Sequence, residues 1–315
     1  MTISVPETSK QLIDHDDVIY DIKNVTLRFG GVTSLNDVTM QMYRGEILAI
    51  IGPNGAGKTS LFNALTGVYH PQEGTISLAG RSGDSHAMVI GKKTHIINHM
   101  GVARTFQNIR LFPALTALEN VRVAVETRQK SGPVSAMLGM PWQRKEDRES
   151  IDKGLELLRF VGLREKANEL AGSLAYGEQR RLEIARALGT NPGVILLDEP
   201  AAGTNPSEKR ELAELILQIR RERGVSVLLI EHDMKLVMSI ADRLVVLNFG
   251  GKIAEGTPEE IQKDPVVIAA YLGTSAEEAA EELEALPELH TLALDDPDAN
   301  IIIETPHVPA EEEKA

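Results

Sequence analysis

Two periodicities divide this chain. From Val18 apolar and polar positions alternate in "VIYDIKNVTLRF" and again in "GVTSLNDVTMQMY", with glycine at the break. Period two predicts strands. "GEILAIIG" is instead a short continuous apolar run ending in glycine, as a parallel strand covered on both faces would be. "KTSLFNALTG" follows as a helix closed by Gly67, and "GTISLAG" adds a short strand. From about 108 to 172 the pattern turns helical and charged. "ALTALENVRVAVETRQ" and "RESIDKGLELLRFVG" are joined there by the Gly/Pro-broken "KSGPVSAMLGMPW". After Gly172 strands and helices alternate again. "LAYGEQRRLEIARAL" at 174–188 is amphipathic in its second half. "GVILLDEP" and "VSVLLIEHD" are strands, "SEKRELAELILQIRRER" and "MKLVMSIAD" helices, and "RLVVLNFGGKIAEG" a last strand or hairpin. Together these predict an α/β fold, an open and largely parallel sheet with a helical insertion.

Composition changes this picture at the ends. The chain has 315 residues, 42% of them hydrophobic, enough for one large or two smaller domains. Residues 1–17 read as a polar, flexible leader without a signal-peptide pattern, and residues 18–273 as the folded body. The net charge of −13 belongs almost wholly to residues 274–315, which carry thirteen acidic side chains and one lysine. That segment reads as an acidic, mostly disordered tail. The body is close to neutral, so no nucleic-acid footprint is expected. There are no cysteines, which excludes a disulfide framework and thiol chemistry. No apolar run approaches the roughly 18 residues of a membrane helix, so a membrane role would have to go through partners.

The chemistry concentrates at element ends. "GPNGAGKTS" at 52–60 fits G-x-x-x-x-G-K-[ST] between a strand and a helix, the context that makes the pattern specific. Gly52, Pro53, Asn54, Gly55, Ala56 and Gly57 form a loop whose N–H groups can face phosphate oxygens at a helix start. Lys58 would reach the β- and γ-phosphates of ATP, Thr59 would ligate Mg²⁺ and Ser60 would reach the α-phosphate. "VILLDEP" ends a buried strand in two carboxylates. Asp198 would hold Mg²⁺ through water, and Glu199 would act as general base toward the attacking water. His232 closes the next strand and could sense the γ-phosphate. Gln107, where strand meets insertion, could touch Mg²⁺ or the water and report to whatever packs on the insertion.

In this order, over about residues 18–273, the phosphate loop, Gln107, "LAYGEQ", "VILLDEP", "AAGTNP" and His232 resemble an ABC-transporter ATPase subunit. "FGGVTSLNDV", "GVARTFQNIRLFPALTALENV", "EPAAGTNPSE", "GGKIAEGTPEEI" and "VIAAYLG" resemble, more narrowly, the LivG-type subunit of branched-chain amino acid importers. The resemblance implies a P-loop NTPase (RecA-like) core with an N-terminal antiparallel β subdomain and a helical subdomain, about 108–172, bearing the signature. It implies Phe29 stacked on adenine. It implies a head-to-tail pair of ATPases, with a LivF-like chain or a second copy, closing over two ATP molecules. It implies two permease subunits in the membrane, an extracytoplasmic solute-binding protein, and a peripheral location on the cytoplasmic face of the cell membrane. A urea or amide importer, or a soluble non-transport ATPase, remain the alternatives. The signature, usually L-S-G-G-Q, would face the partner's ATP. Here it reads Leu174, Ala175, Tyr176, Gly177, Glu178. Ala175 lacks the serine hydroxyl that would donate to the γ-phosphate, which predicts two unequal ATP sites.

Overall fold

The computed structural model describes residues 17–80, 86–127 and 141–272. The acidic tail, and the leader apart from Asp17, lie outside them. Asp17 pairs with Arg44 at 2.8 Å.

The alternating segments become β1 (Val18–Phe29) and β2 (Val32–Tyr43), paired antiparallel. With β4 (Glu73–Ala79) and β5 (His86–Met88) they make a four-stranded sheet ordered β2-β1-β4-β5. The continuous apolar runs become β3 (Ile47–Ile51), β7 (Val194–Asp198) and β8 (Ser226–Ile230), buried at every position. They join β6 (Val102–Arg104), β9 (Arg243–Asn248) and β10 (Gly251–Gly256) in the order β10-β9-β3-β8-β7-β6. All neighbours are parallel except the β9–β10 hairpin.

Successive residues of a strand face opposite sides, so this sheet feeds two cores. Leu48, Ile50, Leu196, Leu228 and Ile230 pack with the antiparallel sheet and with Leu61, Phe62 and Leu65 of α1 (Lys58–Leu65). Ile47, Ala49, Ile51, Ile195, Leu197, Val227 and Leu229 pack beneath the remaining helices. Those include α3 (Ala117–Glu126), α4 (Pro141–Phe160), α5 (Tyr176–Gly189), α6 (Pro206–Arg223) and α7 (Met234–Ile240). The sequence reading passed over β5, β6, α2 (Thr94–Met100) and the closing helices α8 (Pro258–Ile261) and α9 (Pro265–Leu272). Helix α5 starts at Tyr176 and runs to Gly189.

Candidate nucleotide site

β3 ends at the glycine loop. Gly52 has φ 143°, and a Cβ there would lie 2.0 Å from the Leu247 carbonyl oxygen, so only glycine fits. Gly57, at φ 101°, caps α1, and its Cβ would come within 2.6 Å of the Ser34 carbonyl oxygen. The loop is fastened on its outer side. Ala56 N–H donates to the Pro53 carbonyl, and Gly250 N–H to the Ala56 carbonyl. Gly52 N–H donates to the Tyr271 hydroxyl of α9, whose phenol is pushed up by burial. The Lys58 ammonium donates to the Gly52 and Pro53 carbonyls at 2.6 and 2.9 Å. Burial lowers its pKa, and Glu199 partly opposes that. Thr59 is exposed at the helix start. The Ser60 and Ser34 hydroxyls share a 2.7 Å hydrogen bond. Exposed Phe29 meets Tyr69 edge to face, centroids 4.9 Å apart, leaving one aromatic corner open to solvent.

Three of the expected residues converge. Glu199 leaves β7 with φ 47°, an uncommon left-handed conformation for a non-glycine residue. Its Oε2 accepts Gln107 Nε2–H at 2.8 Å, and its Oε1 lies 2.7 Å from His232 Nε2. The hydrogen bond with His232 is the main cause holding the Glu199 carboxyl below the ordinary glutamate range; burial opposes it. A charged, half-buried carboxylate between an amide and an imidazole can orient a water and accept its proton. Asp198 is nearly buried at the end of β7.

Sequence reasoning missed the residues that hold this group. Glu231 is 4% exposed, and desolvation raises its pKa. It accepts N–H bonds from Ala201 (2.6 Å) and His232 (3.0 Å), joining the loops after β7 and β8. Arg180 of α5 is 1% exposed and donates to the Phe106 and Gln107 carbonyls at 2.7 and 2.9 Å. Glu183, one helical turn on, accepts the Phe106 and Arg110 N–H groups at 3.4 and 3.3 Å and pairs with Arg180. The pair clasps the Gln107 loop from the signature helix. In the sequence these charges read as a solvated helix face; only their burial reveals the clasp. Arg104 pairs with Asp198 at 2.9 Å and was equally invisible.

The start of α5 is joined to the Gln107 loop through Arg180. Ala175 and Tyr176 are exposed, Gly177 and Leu174 buried. Glu178 Oε2 accepts the Ala175 N–H at 3.2 Å, but alanine has no oxygen to return the bond, so half of a capping box is missing. Lys166 donates to Glu178 at 2.9 Å and is the main cause lowering that carboxyl's pKa. It neutralises an acid that would otherwise repel an anion at this helix start. The Tyr176 hydroxyl accepts from Arg180 at 3.2 Å. The Ser173 hydroxyl donates to the Leu170 carbonyl.

Among the described residues no helix is long and apolar enough to cross a membrane. The family profile described as ABC transporter matches residues 35–202, and that of the branched-chain amino acid ATP-binding cassette transporter matches 252–277. The high-affinity branched-chain amino acid transport ATP-binding protein LivG of Escherichia coli K12 is 48% identical over 255 residues, 81% of this chain and 98% of that protein. The ADP conformation of the ATP-binding cassette MJ1267 superposes with a TM-score of 0.69 at 31% identity, covering 81% of this chain and 99% of the other. The dimeric cassette MJ0796, bound to ADP and Pi in a post-hydrolysis state, gives 0.63 at 26%, with 76% and 99% covered.

Proposed function

The chain belongs to the ABC transporter ATP-binding proteins of the LivG branched-chain amino acid family, and we propose that it binds and hydrolyses ATP to power uptake of Leu, Ile or Val. The observation that carries the mechanism is the convergence of Gln107 and His232 on Glu199 beside the phosphate loop. In this reading the Gly55 and Gly57 N–H groups and Lys58 hold the phosphates, and Ser60 reaches the α-phosphate. Phe29 stacks on adenine, with Tyr69 buttressing it. Glu199 takes the proton of the attacking water. His232 and Gln107 keep that carboxylate ionised and aimed until the γ-phosphate arrives.

Mg²⁺ suits the donors present. The Thr59 hydroxyl, the Gln107 amide oxygen and the Asp198 carboxylate are hard oxygen ligands. Among the described residues no group of three or more His, Cys, Asp or Glu offers a competing metal site. Bound there, Mg²⁺ would neutralise charge on the phosphates.

The signature Leu174–Glu178 spans the start of α5. We read it as facing the ATP of a second ATPase subunit, LivF-like or a second copy. The dimeric state of MJ0796 supports a two-cassette assembly. The assembly would sit on the cytoplasmic side of a permease pair that a solute-binding protein supplies from outside. Residues 18–273 form the cassette in this reading, with 108–172 its helical subdomain. The deciding experiment is transport by the reconstituted assembly with Leu, Ile, Val, other amino acids and urea. Uptake of Leu, Ile and Val that Glu199→Gln abolishes is the expected result; uptake of urea alone would overturn the solute assignment.

A further inference from the structure

Arg104 closes β6 and turns inward. Its guanidinium and the Asp198 carboxylate pair at 2.9 Å with side chains only 7% and 6% exposed. The same guanidinium donates to Asn63 Oδ1 at 2.7 Å and to Thr66 Oγ1 at 3.1 Å, at the far end of the helix that begins in the phosphate loop. The Phe62 and Phe106 rings flank it at 5.6 and 5.1 Å. Its Nε–H has no partner.

We propose that Arg104 is the resident counter-cation of Asp198, and that it sets how strongly nucleotide binding depends on Mg²⁺. The inference rests on reading Asp198 as the carboxylate on the metal's side of the site. A buried carboxylate without a compensating charge is strongly unfavourable. The guanidinium supplies that charge before any metal arrives, and ties the carboxylate to α1 while doing so. A divalent cation approaching Asp198 then meets a fixed positive charge on the same carboxylate. Like charges sharing a buried carboxylate repel, so the guanidinium opposes the metal's attraction to Asp198. Arg104 therefore stabilises the metal-free site at the expense of the metal-bound one. A neutral residue at 104 leaves Asp198 wholly to the metal.

The test measures the affinity of the full-length chain for a non-hydrolysable ATP analogue by calorimetry, in EDTA and in excess Mg²⁺. The readout is the enhancement by Mg²⁺, independent of turnover. Arg104→Met and Arg104→Gln are expected to raise that enhancement by about tenfold or more. Arg104→Lys, which keeps the charge but loses the fork, is expected to stay within about twofold of the parent. Should Arg104→Met fail to fold, Arg104→Gln carries the comparison. The proposal is overturned if the neutral variants leave the enhancement unchanged or lower it, or if Arg104→Lys behaves as they do. Asp198→Asn separates the two layers. Loss of the enhancement there, with no gain in the neutral Arg104 variants, sinks the counter-cation alone. An enhancement that survives Asp198→Asn sinks the reading of Asp198 and the proposal together.

Discussion

Two helix starts in this molecule are built in opposite ways. Helix α1 begins inside a loop fixed by its neighbours, with Gly52 and Gly57 wedged against backbone carbonyls and Lys58 folded over the mouth. Helix α5 begins in the open, at an alanine without a cap acceptor, and is held from behind. Arg180 and Glu183 fasten it to the Gln107 loop, and Lys166 cancels the charge of Glu178. A preorganised cradle suits an anion that the chain binds itself. A bare helix terminus with a rigid back suits an anion brought by another body, because the terminus must arrive correctly placed without a ligand to order it. The clasp ties the Gln107 loop to the signature helix through four hydrogen bonds.

The contrast can be broken from either end. The largest effect is expected at the chain's own site. Glu199→Gln keeps the shape and the nucleotide but removes the base, and turnover should fall by about 10²–10⁴-fold with ATP binding retained. Undiminished hydrolysis in a steady-state assay would refute the general-base role. Next comes the clasp. Arg180→Met leaves Glu183 buried without its cation and should cost about 3–5 kcal/mol of unfolding free energy in denaturant titration. If α5 and the Gln107 loop move as one piece, the variant should also lose cooperativity in ATP concentration in the assembled transporter, a loss that a general drop in stability would not cause.

A third prediction concerns pH. His232 is the main cause of the lowered Glu199 pKa. A carboxyl whose folded pKa lies below its unfolded value adds stability that is fully present above the unfolded value, and that stability is lost as pH falls through the folded one. For Glu199 the loss runs from the ordinary glutamate range down through its lowered folded value. In His232→Ala its folded pKa should move up toward the unfolded value, so the variant's thermal melts should lose less stability than the parent's as pH falls through the acid range. Coincident profiles would show that the hydrogen bond does not set the ionisation. The smallest effect is expected at the open helix start. Ala175→Ser restores an acceptor for the Glu178 N–H, worth about 1 kcal/mol as a cap. If the signature faces a partner's nucleotide as proposed, the hydroxyl also adds a donor there, and the assembled transporter's ATPase rate should rise severalfold. Equal ATPase and transport rates in the two proteins would mean that the missing hydroxyl does not matter.

Much of this was legible in the sequence because it is local. Strand β3, the glycine loop and α1 follow one another, and the apolar run, the glycines and Lys58 need no distant partner to be recognised. The same holds for "VILLDEP" and for the hairpin at Phe249–Gly250. Short elements such as β5, β6 and α8 were passed over because three or four residues carry too little periodicity to stand out. Arg104, Arg180, Glu183 and Glu231 were missed for a different reason. A charged side chain in a sequence reads as solvent-facing, and only packing reveals that these are buried with partners.

The sequence by itself determined the phosphate loop, the two carboxylates at the end of β7, and the alternation of segments that makes an open parallel sheet. The tertiary structure decided how those pieces meet. Gln107 and Glu199 are 92 residues apart, and Glu199 and His232 33. They touch because β6, β7 and β8 lie side by side and parallel, so their carboxyl ends open onto one edge of the sheet. The parallel order also brings Arg104 to Asp198, the residue that closes the neighbouring strand. Hydrophobic pattern selects which strands are buried. Their order, and hence which charges must neutralise one another away from water, is fixed only when the two cores close on the sheet.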